Sequence, residues 1–417
     1  MNPNRQIVSP RQLGFSLVEL MVAVVIGLIG TLVMFQVFAV SEGQKRTTAS
    51  GGDAQQNGAI GLFTIERELR NGGHGLTELI KLGQPVYGWS VPTNAARPPI
   101  ILRPVLITPG DGVNGDLGSD LIEINYSNYE GLGTQIPLGS DWDPNSNTID
   151  VVNTAAFREG DVLVVCNKTP SAGNPPCIET QITEPIPGGS TTLGINSAPD
   201  TYTRFPGYSK VTEYNPPGGV GAKLAPVVAL DGKTIPAKYL LSDGVTSDDS
   251  IAFNLGSGIS SHLYRVQNGG LMFLDGTWQE FADGIVSIRA QYGLDTSTSG
   301  AGGTGDGSVD VWVNPRPVQA NPLASYTPNH AMFDITSNAT IAASWARVVA
   351  VRIAIVARSG IKEKTTVEAR STIPLWTNTS TNPVPGPSFT VPSGDGQYYR
   401  YKVFESIVPL RNMVWAP

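Results

Sequence analysis

Glu19 is the residue whose chemistry most needs explaining. It stands at the head of a run, Leu20 to Ser41, that contains no charged side chain. As a helix that run measures about 33 Å, enough to cross the hydrocarbon core of a bilayer. A carboxylate at the centre of such a helix costs about 2.5–3.5 kcal/mol on insertion scales. Near an end the cost is smaller, but the group still calls for a cation or a helix N-terminus, where the macrodipole is positive. An ordinary signal peptide carries only about 7–15 apolar residues, so this segment reads as an anchor.

The other reactive side chains are sparse. Cys166 and Cys177 are the two cysteines. In an exported chain two cysteines so close are expected to form one disulfide, the alternative being two buried thiols. His74, His262 and His330 lie far apart, and neither a His-Glu-x-x-His nor a Cys-x-x-Cys pattern occurs, so zinc has little support. Gly232-Lys233-Thr234 has the ending of a phosphate-binding loop, but Val227 occupies the position of the required first glycine. No Gly-x-Ser-x-Gly elbow is present. Asp295, Asp306 and Asp310, set among Gly, Ser and Thr, are the best candidates for calcium, with Asp111, Asn114 and Asp116 as a second cluster. Their spacing is not that of a standard calcium loop, and solvated turns are the simpler reading. These features argue against an enzyme and assign no cofactor.

The elements that carry these residues follow from pattern. Ala59, Leu62, Phe63, Ile65 and Leu69 form a rough helical stripe ended by Gly72 and Gly73. Gly51, Gly52 and Gly58 leave two readings open: one long helix, or two helices joined by a linker. Beyond residue 75 the period becomes that of strands, at Asp120–Tyr126, Asp161–Cys166, Leu271–Leu274, Ile285–Tyr292, Val348–Ala357 and Tyr401–Val408. Residues 197–222 and 376–397 are rich in Pro, Gly, Ser, Thr and Asn and read as loops. With 47 Gly, 32 Pro, 15 % charged residues and a net charge of −7, the chain suits a loop-rich exported protein. Its scattered basic residues give no nucleic-acid footprint.

Arg11-Gln12-Leu13-Gly14-Phe15-Ser16-Leu17-Val18-Glu19-Leu20 resembles the prepilin cleavage motif of type IV pilins and type II secretion pseudopilins. The resemblance implies cutting after Gly14 by a membrane-embedded aspartyl peptidase, methylation of the new N-terminal Phe15, and pairing of Glu19 with a neighbouring subunit's terminal amine. Further segments are similar to PilW-type minor pilins: Glu66–Gly73, Tyr264–Gly269, Phe281–Ile285, Tyr292–Asp295, Val351–Ser359 and Phe404–Asn412. They imply an α+β, pilin-like fold, with a long N-terminal helix packed on a mainly antiparallel sheet. The expected parts are a leader (1–14), an anchor and assembly helix (15–73, membrane-spanning over about 20–41) and an exported β-rich domain (74–417).

The implied role is that of a minor pilin helping to initiate pilus assembly at or near the tip. Its implied partners are other minor pilins, the major pilin, the prepilin peptidase and the inner-membrane assembly platform. The chain would be a single-pass inner-membrane protein with its bulk in the periplasm before joining the surface filament. The alternatives are a minor pseudopilin of a type II secretion system and a surface-binding module. Residues 130–250 account for the chain's extra length and suggest no function.

Overall fold

The computed structural model describes residues 14, 16–76, 82–129, 131, 135–167, 177–196, 201–205, 208–224, 239, 250–297, 305–316, 328–331, 333, 344–376 and 386–414. It begins with one unbroken helix, Leu17–Asn71 (α1), so the glycines at 51, 52 and 58 neither bend nor melt it into a linker. Ser16 caps the start, its hydroxyl accepting from the Val18 amide at 3.3 Å. Gly72 ends it, with its N–H donating to the carbonyls of Glu68 and Leu69.

Two antiparallel sheets form the scaffold beneath the second half of the helix. The first runs in the order Thr277–Asp283, Gly270–Asp275, Ile259–Gln267, Leu121–Ser127, Val105–Thr108. The second runs Val311–Val313, Ile285–Leu294, Val348–Arg358, Tyr401–Pro409. One core joins them to α1: Ile65 and Leu69 of the helix meet Ile122, Ile124 and Val266 of the first sheet and Val351, Ile353 and Ile355 of the second. The long strand Val348–Arg358 is apolar from Val348 to Ala357 except at the buried Arg352, because both its faces are covered. Val351, Ile353 and Ile355 face the core under the helix, while Ala354 and Val356 pack with Leu375 and Phe389 on the other side.

A third sheet makes a separate lobe. Its order is Ile100–Ile101, Pro85–Tyr87, Cys177–Gln181, Val162–Asn167, Ser250–Asn254, Ile136–Pro137. Pro85–Tyr87 runs parallel to Cys177–Gln181 and the other pairs are antiparallel. Alternate residues of Val162–Asn167 face opposite ways: Leu163 and Val165 enter one apolar cluster, Val162, Val164 and Cys166 another. Residues 130–250, without a role in the sequence, thus contribute most of an independent two-sided core. Between residues 129 and 256 lie 14 acidic and 7 basic side chains, and the rest of the chain is neutral. The whole net charge therefore belongs to this stretch, which suits a hydrated lobe better than a packed interface.

Two loop expectations need correction. Residues 197–222 contain the hairpin Thr201–Phe205 with Tyr208–Val211, and the helical turn Val220–Leu224 begins within them. Residues 376–397 contain the strand Ser388–Thr390 and a 3-10 turn, Asp395–Tyr398, while residues 377–385 lie outside the described residues. Cross-strand pairing overrode a turn-rich composition in each.

Candidate functional site

The helix divides into two halves with opposite surroundings. Every large apolar side chain from Leu17 to Val40 is between 51 and 77 % exposed, so none of the described residues buries them. The stretch is long and apolar enough to cross a membrane. Its hydroxyl at Thr31 is satisfied within the helix, donating to the Leu28 carbonyl at 2.9 Å. A Cβ added at Gly27 or Gly30 would meet nothing within 4 Å, which leaves flat places where another helix could approach. Glu19 occupies the first turn, as the macrodipole favours. Gly14 precedes the helix as an exposed residue, and Phe15 lies outside the described residues.

The second half is fitted to its own domain. Its buried face is Ser50, Ala54, Gly58, Gly61, Ile65, Glu68 and Leu69, a spacing of three and four. This corrects the stripe read from sequence: Ile65 and Leu69 are buried, but Ala59 is exposed and Phe63 is 66 % exposed. Small residues, which carry little hydrophobic signal, make the contact instead. A Cβ on Gly58 would lie 2.2 Å from the Phe404 ring, and one on Gly61 would lie 2.9 Å from Leu271. Glycine at these two positions lets the helix backbone close on the sheets.

Polar ties fix the register of this packing. Thr47 donates to Glu363 at 3.3 Å and the Ile361 amide to the Ser50 hydroxyl at 3.1 Å. The Asn57 side chain donates to the Asp283 carbonyl at 3.0 Å. Near the far end the buried Glu68 carboxylate accepts from the Tyr126 hydroxyl at 3.2 Å and lies 3.0 Å from Nδ1 of His262. Burial, then the Glu68 charge, pushes the Tyr126 hydroxyl up to about 12. Asn412 closes the helix C-terminus, its amide donating to the carbonyls of Arg70, Asn71 and Gly72 at 3.5, 3.3 and 3.1 Å. Neither His262 nor Asn412 was visible as a helix partner in the sequence. Both lie more than 190 residues along the chain from the end of the helix.

The remaining candidates are structural in their contacts. Cys166 and Cys177 are joined in a disulfide. They stand on neighbouring antiparallel strands, and the bridge closes the intervening segment with a chain-entropy contribution of about 3 kcal/mol. Asp295 accepts from the Ser297 amide and hydroxyl and from the Gly307 amide. Burial works to raise its pKa, but these hydrogen bonds outweigh it and hold the carboxyl below its ordinary value. Asp310 accepts from the amide and hydroxyl of Thr296, and Asp306 from the Ser308 amide. Asp111 accepts from the amides of Val113 and Asn114, and Asp116 from those of Asn268 and Gly269. These carboxylates tie loops together. Among the described residues no group of three or more His, Cys, Asp or Glu is placed to hold a metal ion.

Two family models match the chain. Residues 9–35 match the prokaryotic N-terminal methylation motif, and residues 238–412 match type IV pilus-assembly protein W. The second match covers most of the two scaffold sheets and ends at Asn412, the helix cap, while most strands of the lobe fall outside it. No curated protein and no solved structure matches the chain.

Proposed function

We propose that this PilW-like type IV pilin, with its prepilin-type N-terminal motif, is a minor pilin that helps to initiate pilus assembly at or near the tip. The observation that carries the reading is the division of α1. Its second half is matched to the chain's own scaffold, and its first half is apolar on all sides and bare. Such a surface suits lipid before assembly and a bundle of like helices afterwards. In this reading residues 1–14 are the leader, 15–73 the anchor and assembly helix, and 74–417 the exported domain. Cleavage follows Gly14, Phe15 is methylated, and Glu19 pairs with the amine of an adjacent subunit. The partners are the prepilin peptidase, the inner-membrane assembly platform, the major pilin and other minor pilins. The role is structural, with no catalysis and no cofactor. Before assembly the bulk of the chain faces the periplasm.

A clean deletion of the gene, scored for sheared surface pili and for secreted proteins in the medium, tests this. Loss of pili with normal secretion is expected. Normal pili with secretion lost would move the chain to the type II pseudopilins, and the pilus reading would fall.

A further inference from the structure

Glu68, Tyr126 and His262 meet where the docked half of α1 ends on the first sheet. Glu68 is 6 % exposed, an acid on the buried face of the helix. Its Oε2 lies 3.2 Å from the Tyr126 hydroxyl and 3.0 Å from Nδ1 of His262. The hydroxyl in turn lies 3.2 Å from Nε2 of the same imidazole and 3.5 Å from Nδ1. Tyr126 and His262 belong to the paired strands Leu121–Ser127 and Ile259–Gln267, so three elements close into one polar circuit.

The circuit has three sides, Glu68 to His262, His262 to Tyr126 and Tyr126 to Glu68, and each side needs a hydrogen. A neutral imidazole supplies one N–H and the tyrosine one O–H, while an ionised carboxylate supplies none. One side is then left empty, because the Tyr126 hydroxyl donates to Glu68 or to Nε2 but not to both. An imidazolium supplies two N–H groups. Nδ1 then donates to Glu68, Nε2 donates to the Tyr126 oxygen, and the Tyr126 hydroxyl donates to Glu68. The observed geometry is complete only with a charged His262, whose bond to the buried carboxylate becomes a charge-assisted one.

Each element around the imidazole bears on its charge. On α1, Arg67 is 66 % exposed and lies 3.2 Å from the other Glu68 oxygen, and Glu66 and Arg70 pair with each other. On Leu121–Ser127, Ile122 and Ile124 share the face of Tyr126. On Gly270–Asp275, the Phe273 ring meets His262 edge to face at 5.5 Å, and the exposed Asp275 shares its face. Their partners on the next strand, Gln279 and Thr277, are uncharged. Tyr264 follows on the strand of His262 itself. Burial, then the Glu68 charge, pushes Tyr126 up to about 12 and raises Tyr264 as well, so both hydroxyls keep their protons near neutrality. Histidine is the side chain that changes charge between about pH 5 and 8.

We infer that Glu68, Tyr126 and His262 form an acid-tightened clasp that pins the C-terminal end of α1 to the first sheet, closed when His262 is protonated and looser when it is neutral. In the pilin reading, where the domain is exported, the hold of the domain on its assembly helix then follows the pH of the surroundings. Hydrogen exchange on the full-length chain in detergent tests the clasp. From about pH 8 to about pH 5 the protection of the Leu69–Gly72 amides, corrected for intrinsic rates, is expected to rise roughly fivefold, as a neutral hydrogen bond becomes a charge-assisted one. The rise is expected to follow protonation of the His262 ring, read from its NMR signals. It is expected to vanish in His262→Gln and in Glu68→Gln, each of which keeps a hydrogen-bonding side chain without the charge. Asp120, which lies beside Arg289, is present in both variants, so its own titration cancels in the difference. A rise that persists in either variant, or protection that does not follow the His262 ring, would overturn the clasp. Neither result touches the pilin reading, which the deletion tests separately.

Discussion

The two halves of α1 have similar backbone and different neighbours. From Leu17 to Val40 large apolar residues point in every direction and none is covered. From Ser50 to Leu69 the buried residues are small or sparse: two glycines, an alanine, a serine, a glutamate and two large aliphatics. The half that looks most like a core is not in one, and the half that looks too small and polar to pack is held by its own domain. Hydrophobicity measures what a surface requires. Shape, here Gly58 beneath Phe404 and Gly61 beneath Leu271, measures what it already has. Among the described residues, the bare half is thus the part of the molecule with the most unburied apolar surface.

Substitutions at the head of the helix test that division most severely. Gly14→Val is expected to abolish leader removal, leaving a longer membrane-bound precursor on an immunoblot. Complete processing of that variant would remove Gly14 from the cleavage site. Glu19→Val is expected to insert and to be cleaved normally, since in the proposed reading cutting depends chiefly on Gly14. It is expected to be depleted from sheared filaments, because the proposed pairing would leave a neighbour's amine without its partner. Normal incorporation would break the pairing assigned to Glu19 and leave the bare half as an anchor alone.

A matched pair of leucines separates the halves in stability. Leu69 is fully buried against the scaffold, and Leu28 is exposed. Leu69→Ala is expected to destabilise the domain by about 2–5 kcal/mol, the range for a large side chain removed from a core. Leu28→Ala is expected to leave the Tm of the detergent-solubilised chain unchanged. Equal effects would mean that the first half also packs on its own chain.

Two acids sharpen the same contrast. Glu19 has no cation in its own helix turn, whereas the buried Asp120 lies 3.0 Å from Arg289 and accepts from the Ala290 amide. Even so, burial outweighs Arg289 and the amide and pushes Asp120 up to about 6. The folded state therefore holds this proton more tightly than the unfolded chain does. Stability from Asp120 is fully present near its unfolded value, close to 4, and falls as pH rises through about 6. The span is on the order of 2–3 kcal/mol. Between pH 4 and pH 7 the wild type is expected to lose Tm relative to Asp120→Asn. A constant difference across that range would show that Arg289 compensates the buried charge completely.

What the sequence revealed follows the same physics. The apolar first half of α1 was legible because a long uncharged run headed by one carboxylate has the length and composition of a helix that can cross a membrane. The strands Ile285–Leu294 and Val348–Arg358 were legible because they are rich in β-branched and other apolar residues over the length of a strand, interrupted only by single polar residues. The docking face of α1 was misread because Phe63 contributes a strong apolar signal from the solvent side, and Gly58 and Gly61 contribute none from the contact side. Composition marks the acids at 111, 116, 295, 306 and 310 as calcium candidates beside the simpler reading of solvated turns, and it cannot distinguish a carboxylate facing a metal from one facing backbone amides, as these do. The lobe sheet escaped because its pairing joins Pro85–Tyr87 to Cys177–Gln181, and such distant register leaves no local trace.

The smallest expected effect concerns the point where the docked half ends. Asn412 donates to three carbonyls at the C-terminus of α1, groups that no further helical turn can satisfy. The residue sits in the short helix Arg411–Val414, which follows the strand Tyr401–Pro409 whose Phe404 covers Gly58. The last strand therefore grips the helix at two places, by shape at Gly58 and by hydrogen bonds at Asn71. Asn412→Ala removes the second grip and is expected to cost about 1 kcal/mol, read as a modest fall in Tm. Amide exchange should quicken first in the last turn of α1 and not in the Gly58–Ile65 segment. Uniform quickening along the whole docked half would mean that the cap, more than the close packing, sets where this helix is held.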